Sequence, residues 1–174
     1  FFFRAEDGIR DLVRSRGLGE VYKRQDQDQV LVVLGDTICD YDVQEVVNSP
    51  FSMIGVRKVD DPREFGVAEI ADDGFISHVV EKPQIPKSNM ALVGVYKIRE
   101  TEQMFQCLEN NIRQGLRSQG EYSLTDALDC MIKMGAKFKS FKVECWFDCG
   151  RKETLLDSNA KLLNKFAVTH DSAQ

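Results

Sequence analysis

The chain has 174 residues, of which 43% are hydrophobic, and its formal charge of -5 gives a pI near 5.1. This is enough apolar material for one globular domain with a buried core. The basic residues after residue 25 are interspersed with acidic ones, which argues against a nucleic-acid partner. No apolar stretch has the length of a membrane span and no signal-peptide pattern is present, so we expect no membrane partner and a cytoplasmic setting.

Residues 1–25 differ from the rest in composition and pattern: arginines and glycines are scattered through them, and apolar residues recur at no steady period. We interpret 1–25 as a non-native segment, 26–168 as the domain proper and 169–174 as a tail. A basic amphipathic arm is the alternative for 1–25, and the broken periodicity disfavours it.

Strand patterns dominate the first half of the domain, at 30–34, 51–57, 65–70, 75–80 and 91–98. The apolar run at 30–34 is typical of a buried parallel strand. Asp72-Asp73-Gly74 is a turn signal that predicts a hairpin between the third and fourth of these strands.

Helical periodicity follows in 100–114, where Gly115 supplies the stop, and again behind a cap at Ser123 or Thr125, where Gly135 ends the run. A strand is predicted at 138–143 and a last helix at about 152–166. This order predicts an α/β fold with a mixed, mostly parallel sheet flanked by helices on both faces.

Two carboxylates, Asp36 and Asp148, each close a short hydrophobic run. Ligands of open α/β sheets bind beyond the carboxyl ends of such strands, and magnesium needs only one or two protein carboxylates beside water and phosphate. The pair therefore suggests a split magnesium site, although an acid after a strand is more often a turn residue or a helix N-cap. His78 and His170 are far apart and favour no catalytic triad.

Two further segments carry candidate ligand contacts. Gly66 in Phe65-Gly66-Val67 would let the backbone approach a ligand closely, or it is a bulge glycine. Glu81-Lys82-Pro83 ends a strand with an acceptor for hydroxyls beside a cation for phosphate, with a solvated ion pair as the alternative.

The segments VLVVLGD, FGVAEI, VVEKP, NMALVGVY, GEYSLTD and WFDCG occur in this order between residues 30 and 150. Together they resemble the sugar-1-phosphate nucleotidylyltransferases, with the glucose-1-phosphate thymidylyltransferases and uridylyltransferases as the nearest members. The resemblance covers residues 30–166 and implies a Rossmann-like nucleotide-diphospho-sugar transferase fold, of which 26–168 would be the C-terminal portion.

The resemblance also implies the chemistry. A nucleotidyl group would pass from a nucleoside triphosphate, dTTP or UTP first, to a sugar 1-phosphate. Asp36 and Asp148 would bind magnesium and, with Lys82 at the sugar phosphate, form the catalytic group. The residues expected around the sugar are Gly66, Glu81, Asn89, Tyr96 and Trp146.

One departure from the family pattern limits the expected activity. The glycine-rich loop with its arginine and lysine, which cradles the triphosphate in the family, has no counterpart before residue 30, so the N-terminal part of the domain is expected to be missing and the chain as given inactive. Arg117 is set off from Gly120-Glu121 and is not included among the site residues.

Two alternatives stay open at this point. A non-catalytic regulatory or scaffold relative would keep the fold, but it would not need both aspartates and the Glu81-Lys82 pair. A metal-dependent glycosyltransferase would show an Asp-any-Asp pair, which Asp36-Thr37-Ile38 lacks. The sequence leaves the sugar, the base and any homo-oligomer undetermined.

Overall fold

The computed structural model describes residues 2–3, 29–149, 155–156, 158–160 and 162–163. The described residues between 155 and 163 are helical, in line with the helix predicted there, and the rest of that predicted helix lies outside the described residues. The strands and helices are β1 (Phe2–Phe3), β2 (Val30–Val33), β3 (Thr37–Asp40), α1 (Val43–Asn48), β4 (Ser52–Lys58), β5 (Gly66–Ile70), β6 (Ile76–Glu81), β7 (Met90–Ile98), α2 (Thr101–Gln114), α3 (Leu124–Lys133), β8 (Phe138–Lys142) and β9 (Cys145–Asp148).

Within the described residues, the central sheet has seven strands in the order β1-β2-β7-β4-β8, with β5 beside β7 and β6 beside β5. The α/β class with a mixed sheet and flanking helices is confirmed. Strands β2, β4, β5 and β8 run one way, but β7 runs against them and separates β2 from β4. Among the described strand pairs, only β4 and β8 are parallel. Strand β2 pairs in antiparallel fashion with both of its described neighbours, β1 and β7, so the expectation that it is a parallel strand is wrong for these neighbours.

Successive side chains of β7 lie alternately on the two faces of the sheet. Leu92, Tyr96 and Ile98 join the larger core cluster under α2 and α3, whereas Val93 and Val95 join the smaller cluster under α1. This alternation follows from the two-residue period of a strand. The strand is buried along nearly its whole length because helices cover both faces.

The helix ends follow the sequence signals. Gly115 ends α2 with a left-handed φ of 66°, as predicted. Ser123, not Thr125, caps α3, since its hydroxyl accepts from the Thr125 amide at 3.0 Å. Helix α1 was not predicted; Asp42 caps its start, and the buried Lys97 ammonium donates to two carbonyls at its end.

A separate two-stranded sheet pairs β3 with β9 in antiparallel fashion, with Thr37 opposite Asp148. The hydrophobic run that ends at Asp148 therefore pairs in this small sheet and not in the central sheet. Its partner lies more than 100 residues earlier in the chain, a separation that local pattern does not reveal. None of the described helices is long and apolar enough to cross a membrane.

Candidate active site

A cavity of about 580 Å³ opens where the turn after β2, the hairpin β5–β6, strand β7 and the start of α3 meet. It brings together six of the predicted site residues, which are Asp36, Gly66, Glu81, Lys82, Tyr96 and Trp146. Its remaining lining comes from Leu34, Thr37, Glu64, Phe65, Leu92, Val93, Gly94, Ser118, Gln119, Glu121, Tyr122, Ser123, Leu124 and Thr125. Positions far apart in the sequence thus share one pocket.

The Glu81 carboxylate is held in place by α3. Its Oε2 accepts a hydrogen bond from the Thr125 hydroxyl at 2.6 Å and a longer one from the Ser123 hydroxyl at 3.5 Å. The side chain is 19% exposed, so one carboxylate edge is anchored and the group stays accessible from the pocket. A carboxylate fixed in this way is an acceptor prepared for ligand hydroxyls.

Lys82 follows directly and has a left-handed backbone with φ of 42°. A side chain in this region costs about 1–2 kcal/mol relative to ordinary backbone, so the conformation must be imposed by its surroundings. The Lys82 amide donates to the Phe65 carbonyl at 3.1 Å, which ties the end of β6 to the start of β5. Its ammonium lies 4.0 Å from Glu81 Oε1, and the Lys82 side chain, which lines the pocket, is 43% exposed.

Two buried glycines allow the pocket walls to approach each other. A Cβ on Gly66 would lie 2.8 Å from Leu92 Cδ1 and 3.2 Å from Glu81 Oε2, so close packing explains this glycine. Gly94 has φ of 83° at the register shift between β4 and β7, and a Cβ there would lie 2.7 Å from Thr37 Oγ1. The Gly94 carbonyl also accepts from the Leu34 amide at 2.9 Å, which holds the turn that carries Asp36.

Asp36 is exposed in the turn between β2 and β3 and faces the pocket. Its carbonyl accepts from the Cys149 amide at 2.8 Å, which brings its backbone beside the end of β9 and therefore beside Asp148. The side chain of Asp148 lies outside the described residues. The backbones of the two predicted metal aspartates therefore lie side by side at one end of the β3–β9 sheet.

Aromatic side chains form part of the wall. Trp146 packs edge-on against Phe65 with ring centroids 4.9 Å apart, and its buried indole Nε1 donates to no described acceptor. Tyr96 is buried, and burial, followed by the charges of Glu81 and Asp36, raises the pKa of its phenol. The phenol therefore stays protonated at physiological pH.

The loop before α3 contributes residues that sequence reasoning did not select. Ser118, Gln119, Glu121 and Tyr122 line the cavity, and Ser118 is tied to α3 by a 2.9 Å hydrogen bond to Asp126. The segment GEYSLTD is the available signal, but local pattern predicts only a helix cap for Ser123 or Thr125. Arg117 stacks over the Tyr122 ring instead of lining the cavity.

One of the residues predicted to contact the sugar does not line this cavity. Asn89 is exposed just before β7, its carbonyl accepts from the Val59 amide at 3.0 Å, and it is not part of the cavity lining. The structure therefore gives Asn89 a backbone role at the far end of β4 and β7. Its proposed sugar contact has no support from this geometry.

The charges around the cavity are unbalanced. Asp36, Glu64, Glu81 and Glu121 line it, against Lys82 as the basic residue among the described lining. An anionic ligand would need additional positive charge at such a site. The described residues contain no cluster of three or more His, Cys, Asp or Glu side chains that could enclose a metal. Magnesium needs fewer protein ligands than that, so carboxylate oxygens at Asp36 suit it.

Comparison with known proteins places the fold. A solved structure from Bacillus anthracis, assigned to glucose-1-phosphate thymidylyltransferase and determined with sucrose, superposes with a TM-score of 0.65 at 30% identity, covering 82% of this chain and 58% of that one. Among curated proteins, the bifunctional protein GlmU of Methanocaldococcus jannaschii is 34% identical over 139 residues, and the glucose-1-phosphate thymidylyltransferase of Streptomyces antibioticus is 33% identical over 144.

The matches span most of this chain but a minor part of the curated relatives. They cover 79% and 78% of the chain and only 32% and 39% of those two proteins. The family model described as nucleotidyl transferase matches residues 12–165, a range that begins inside the segment we interpreted as non-native; that interpretation stays a prediction. The chain belongs to the nucleotidyl transferase family.

Proposed function

We propose that the complete protein transfers a nucleotidyl group from a nucleoside triphosphate to a sugar 1-phosphate, and that the described cavity is its sugar-phosphate half-site. The observation that carries the proposal is the fixed Glu81 carboxylate beside Lys82 in a cavity of about 580 Å³. Membership of the nucleotidyl transferase family supports the same reaction, and so does the similarity to a glucose-1-phosphate thymidylyltransferase. The sugar 1-phosphate and the nucleoside triphosphate, with dTTP or UTP preferred, are the proposed partners.

In the proposed reaction, an oxygen of the sugar phosphate attacks the α-phosphorus of the triphosphate. The new P–O bond forms as the bond to the β-phosphate oxygen breaks, and pyrophosphate leaves with that electron pair. Glu81 would accept hydrogen bonds from sugar hydroxyls, and Lys82 would neutralise the attacking phosphate. Tyr96 and Trp146 would form the wall beside the sugar and exclude water from it.

A divalent cation, for which we propose magnesium, would be held by Asp36 and Asp148. When bound, it would neutralise charge on the phosphate oxygens. The acidic excess around the cavity supports this assignment, since without a cation two phosphates would meet several carboxylates. We also propose a cytoplasmic setting; no disulfide joins the five cysteines, all of which are described.

The non-catalytic alternative keeps the same pocket but would tolerate the loss of Asp36. A binding-only subunit gains nothing from an exposed carboxylate that has no hydrogen-bond partner among the described residues. Turnover assays on the complete gene product with Asp36 variants therefore separate the two functions.

Isothermal titration of this chain with α-D-glucose 1-phosphate tests the half-site. We expect saturable binding, and we expect Glu81→Gln and Lys82→Ala each to raise the dissociation constant about tenfold, because each loses a charge-assisted hydrogen bond. Lys87→Ala is the matched control, since Lys87 is exposed on the same loop and does not line the cavity. A loss in Lys87→Ala equal to that in Lys82→Ala, together with unchanged or tighter binding by Glu81→Gln, would indicate nonspecific charge attraction and would contradict the proposal.

A further inference from the structure

A buried carboxylate outside the cavity holds α3 against β6. Asp129 Oδ1 accepts from the Val79 amide at 3.2 Å and pairs with His78 Nδ1, while Oδ2 lies 2.6 Å from the Lys133 ammonium. The Asp129 side chain is only 11% exposed. His78 thus pairs with an acid that lies 51 positions later in the chain.

The Val79 amide needs this acceptor. Within the described chain β6 pairs with β5 alone, so it is an edge strand, and Val79 is buried under α3. A buried N–H without an acceptor costs about 1–3 kcal/mol. Asp129 satisfies it with a charged group, which gives a stronger bond than a neutral one.

A second contact lies in register with the first. Thr125 is one helical turn before Asp129, and Glu81 is two residues after Val79, and these two are joined by the 2.6 Å hydrogen bond at the cavity. Four helical residues rise about 6 Å and two strand residues about 6.7 Å, so both contacts form at once when α3 runs against β6 in this register.

We propose that Asp129 is a positioning residue for the sugar-phosphate pocket. By fixing the height of α3 on β6, it places the Thr125 hydroxyl where it holds the Glu81 carboxylate in its ligand-accepting orientation. Asp129 lines no part of the cavity, so it acts only through that contact. The effect on ligand rests on the proposed function, whereas the effect on Thr125 does not.

The test combines conservative variants with a double-mutant cycle on this chain, using α-D-glucose 1-phosphate as the titrant. Asp129→Asn keeps an oxygen for the Val79 amide and should bind within about twofold of the parent. Asp129→Glu keeps the charge but has a longer side chain, which should displace α3 from β6. We expect the dissociation constant to rise about tenfold, the size of effect typical when a residue that holds a ligand-binding side chain in place is altered. Lys133→Ala removes only the exposed partner of Asp129 and serves as the control.

The cycle pairs Asp129→Glu with Thr125→Val. If Asp129 acts through Thr125, the double variant should bind as weakly as Thr125→Val alone. Additive losses, or a loss in Asp129→Asn equal to that in Asp129→Glu, would overturn the positioning role.

The Thr125 methyl resonance of the ligand-free chain provides the readout that does not depend on binding. Asp129→Glu should shift it, and Asp129→Asn should leave it nearly in place. If the parent chain does not bind the titrant, the proposed function fails, and this resonance still decides the inference. An unmoved Thr125 methyl in Asp129→Glu would overturn it.

Discussion

The two walls of the cavity are held by different means. On the Glu81 wall, side chains of α3 hold the functional carboxylate directly, through the Thr125 and Ser123 hydroxyls. On the Asp36 wall, backbone bonds hold the turn, from Leu34 to the Gly94 carbonyl and from Cys149 to the Asp36 carbonyl. Within the described chain, no hydrogen bond reaches the Asp36 carboxylate itself.

This difference fits two kinds of ligand. An acceptor for sugar hydroxyls gains from a fixed orientation, because ordering it on binding would cost conformational entropy. A carboxylate that ligates a cation needs open oxygens, since any protein donor would compete with the metal for the same lone pairs. Under the proposed function, the Glu81 wall would bind the sugar and the Asp36 wall the cation.

The largest expected effect is loss of turnover when the cation wall loses its carboxylate. In the complete gene product, Asp36→Ala and Asp148→Ala should each lower kcat by about 100-fold or more, because a charge clamp on phosphate contributes several kcal/mol to the transition state. Pyrophosphate release measures this effect. Asp60→Ala is the control, since Asp60 is exposed and does not line the cavity. Near-normal turnover in Asp36→Ala would remove the cation role from this wall.

The next effect is structural and concerns the backbone that holds Asp36. Gly94→Ala should lower the free energy of unfolding by about 3 kcal/mol, because strain at φ of 83° adds to a clash with Thr37. Gly74→Ala isolates the strain, since Gly74 has φ of 80° and nothing within 4 Å of a Cβ. It should cost only about 1 kcal/mol. Urea denaturation compares the two; equal losses would mean that the clash is absent.

A smaller effect separates stability from binding on the Glu81 wall. Lys82→Gly relieves the backbone strain of a residue with a side chain in the left-handed region. The free energy of unfolding should therefore stay unchanged or rise by up to about 1 kcal/mol, while binding of the sugar phosphate weakens. Gln119→Gly, at φ of 53°, is the matched control for the backbone change. If Lys82→Gly were strongly destabilised, the strain would not be real and Lys82 would have a structural role.

The last prediction concerns the reaction rate of a thiol on β3, the strand that follows the Asp36 turn. Burial, followed by the charge of Asp40, raises the pKa of the Cys39 thiol on β3 to about 11. The thiol stays protonated below that pH, so iodoacetamide should modify Cys39 slowly at pH 8 and faster as the pH approaches 11. Peptide mass spectrometry follows the reaction. A rate at pH 8 equal to that of the unfolded chain would show that the β3–β9 sheet opens.

Local pattern was sufficient for the hairpin β5–β6 and for α2 and α3. The family resemblance, and not local pattern, implied that Glu81, Lys82, Tyr96 and Trp146 share one site, and all four line the cavity. Local pattern could not supply the β3–β9 pairing, because Thr37 and Asp148 are brought together only by the fold. The same limit hid the Thr125 bond to Glu81 and the Asp129 bond to Val79. A hydroxyl near a helix start looks like a cap whether or not it performs another task, and here Ser123 is the cap.

Amide NMR of the chain titrated with α-D-glucose 1-phosphate tests the central claim most directly. Trp146 is the single tryptophan, and its indole N–H, which lacks a described acceptor, gives one isolated resonance. We expect this resonance and the amides of Gly66, Glu81 and Lys82 to show the largest shifts, saturating together. Saturable shifts centred instead on Lys137 and Lys139 near Phe75, with the Trp146 indole unmoved, would contradict the assignment of the cavity as the sugar-phosphate site.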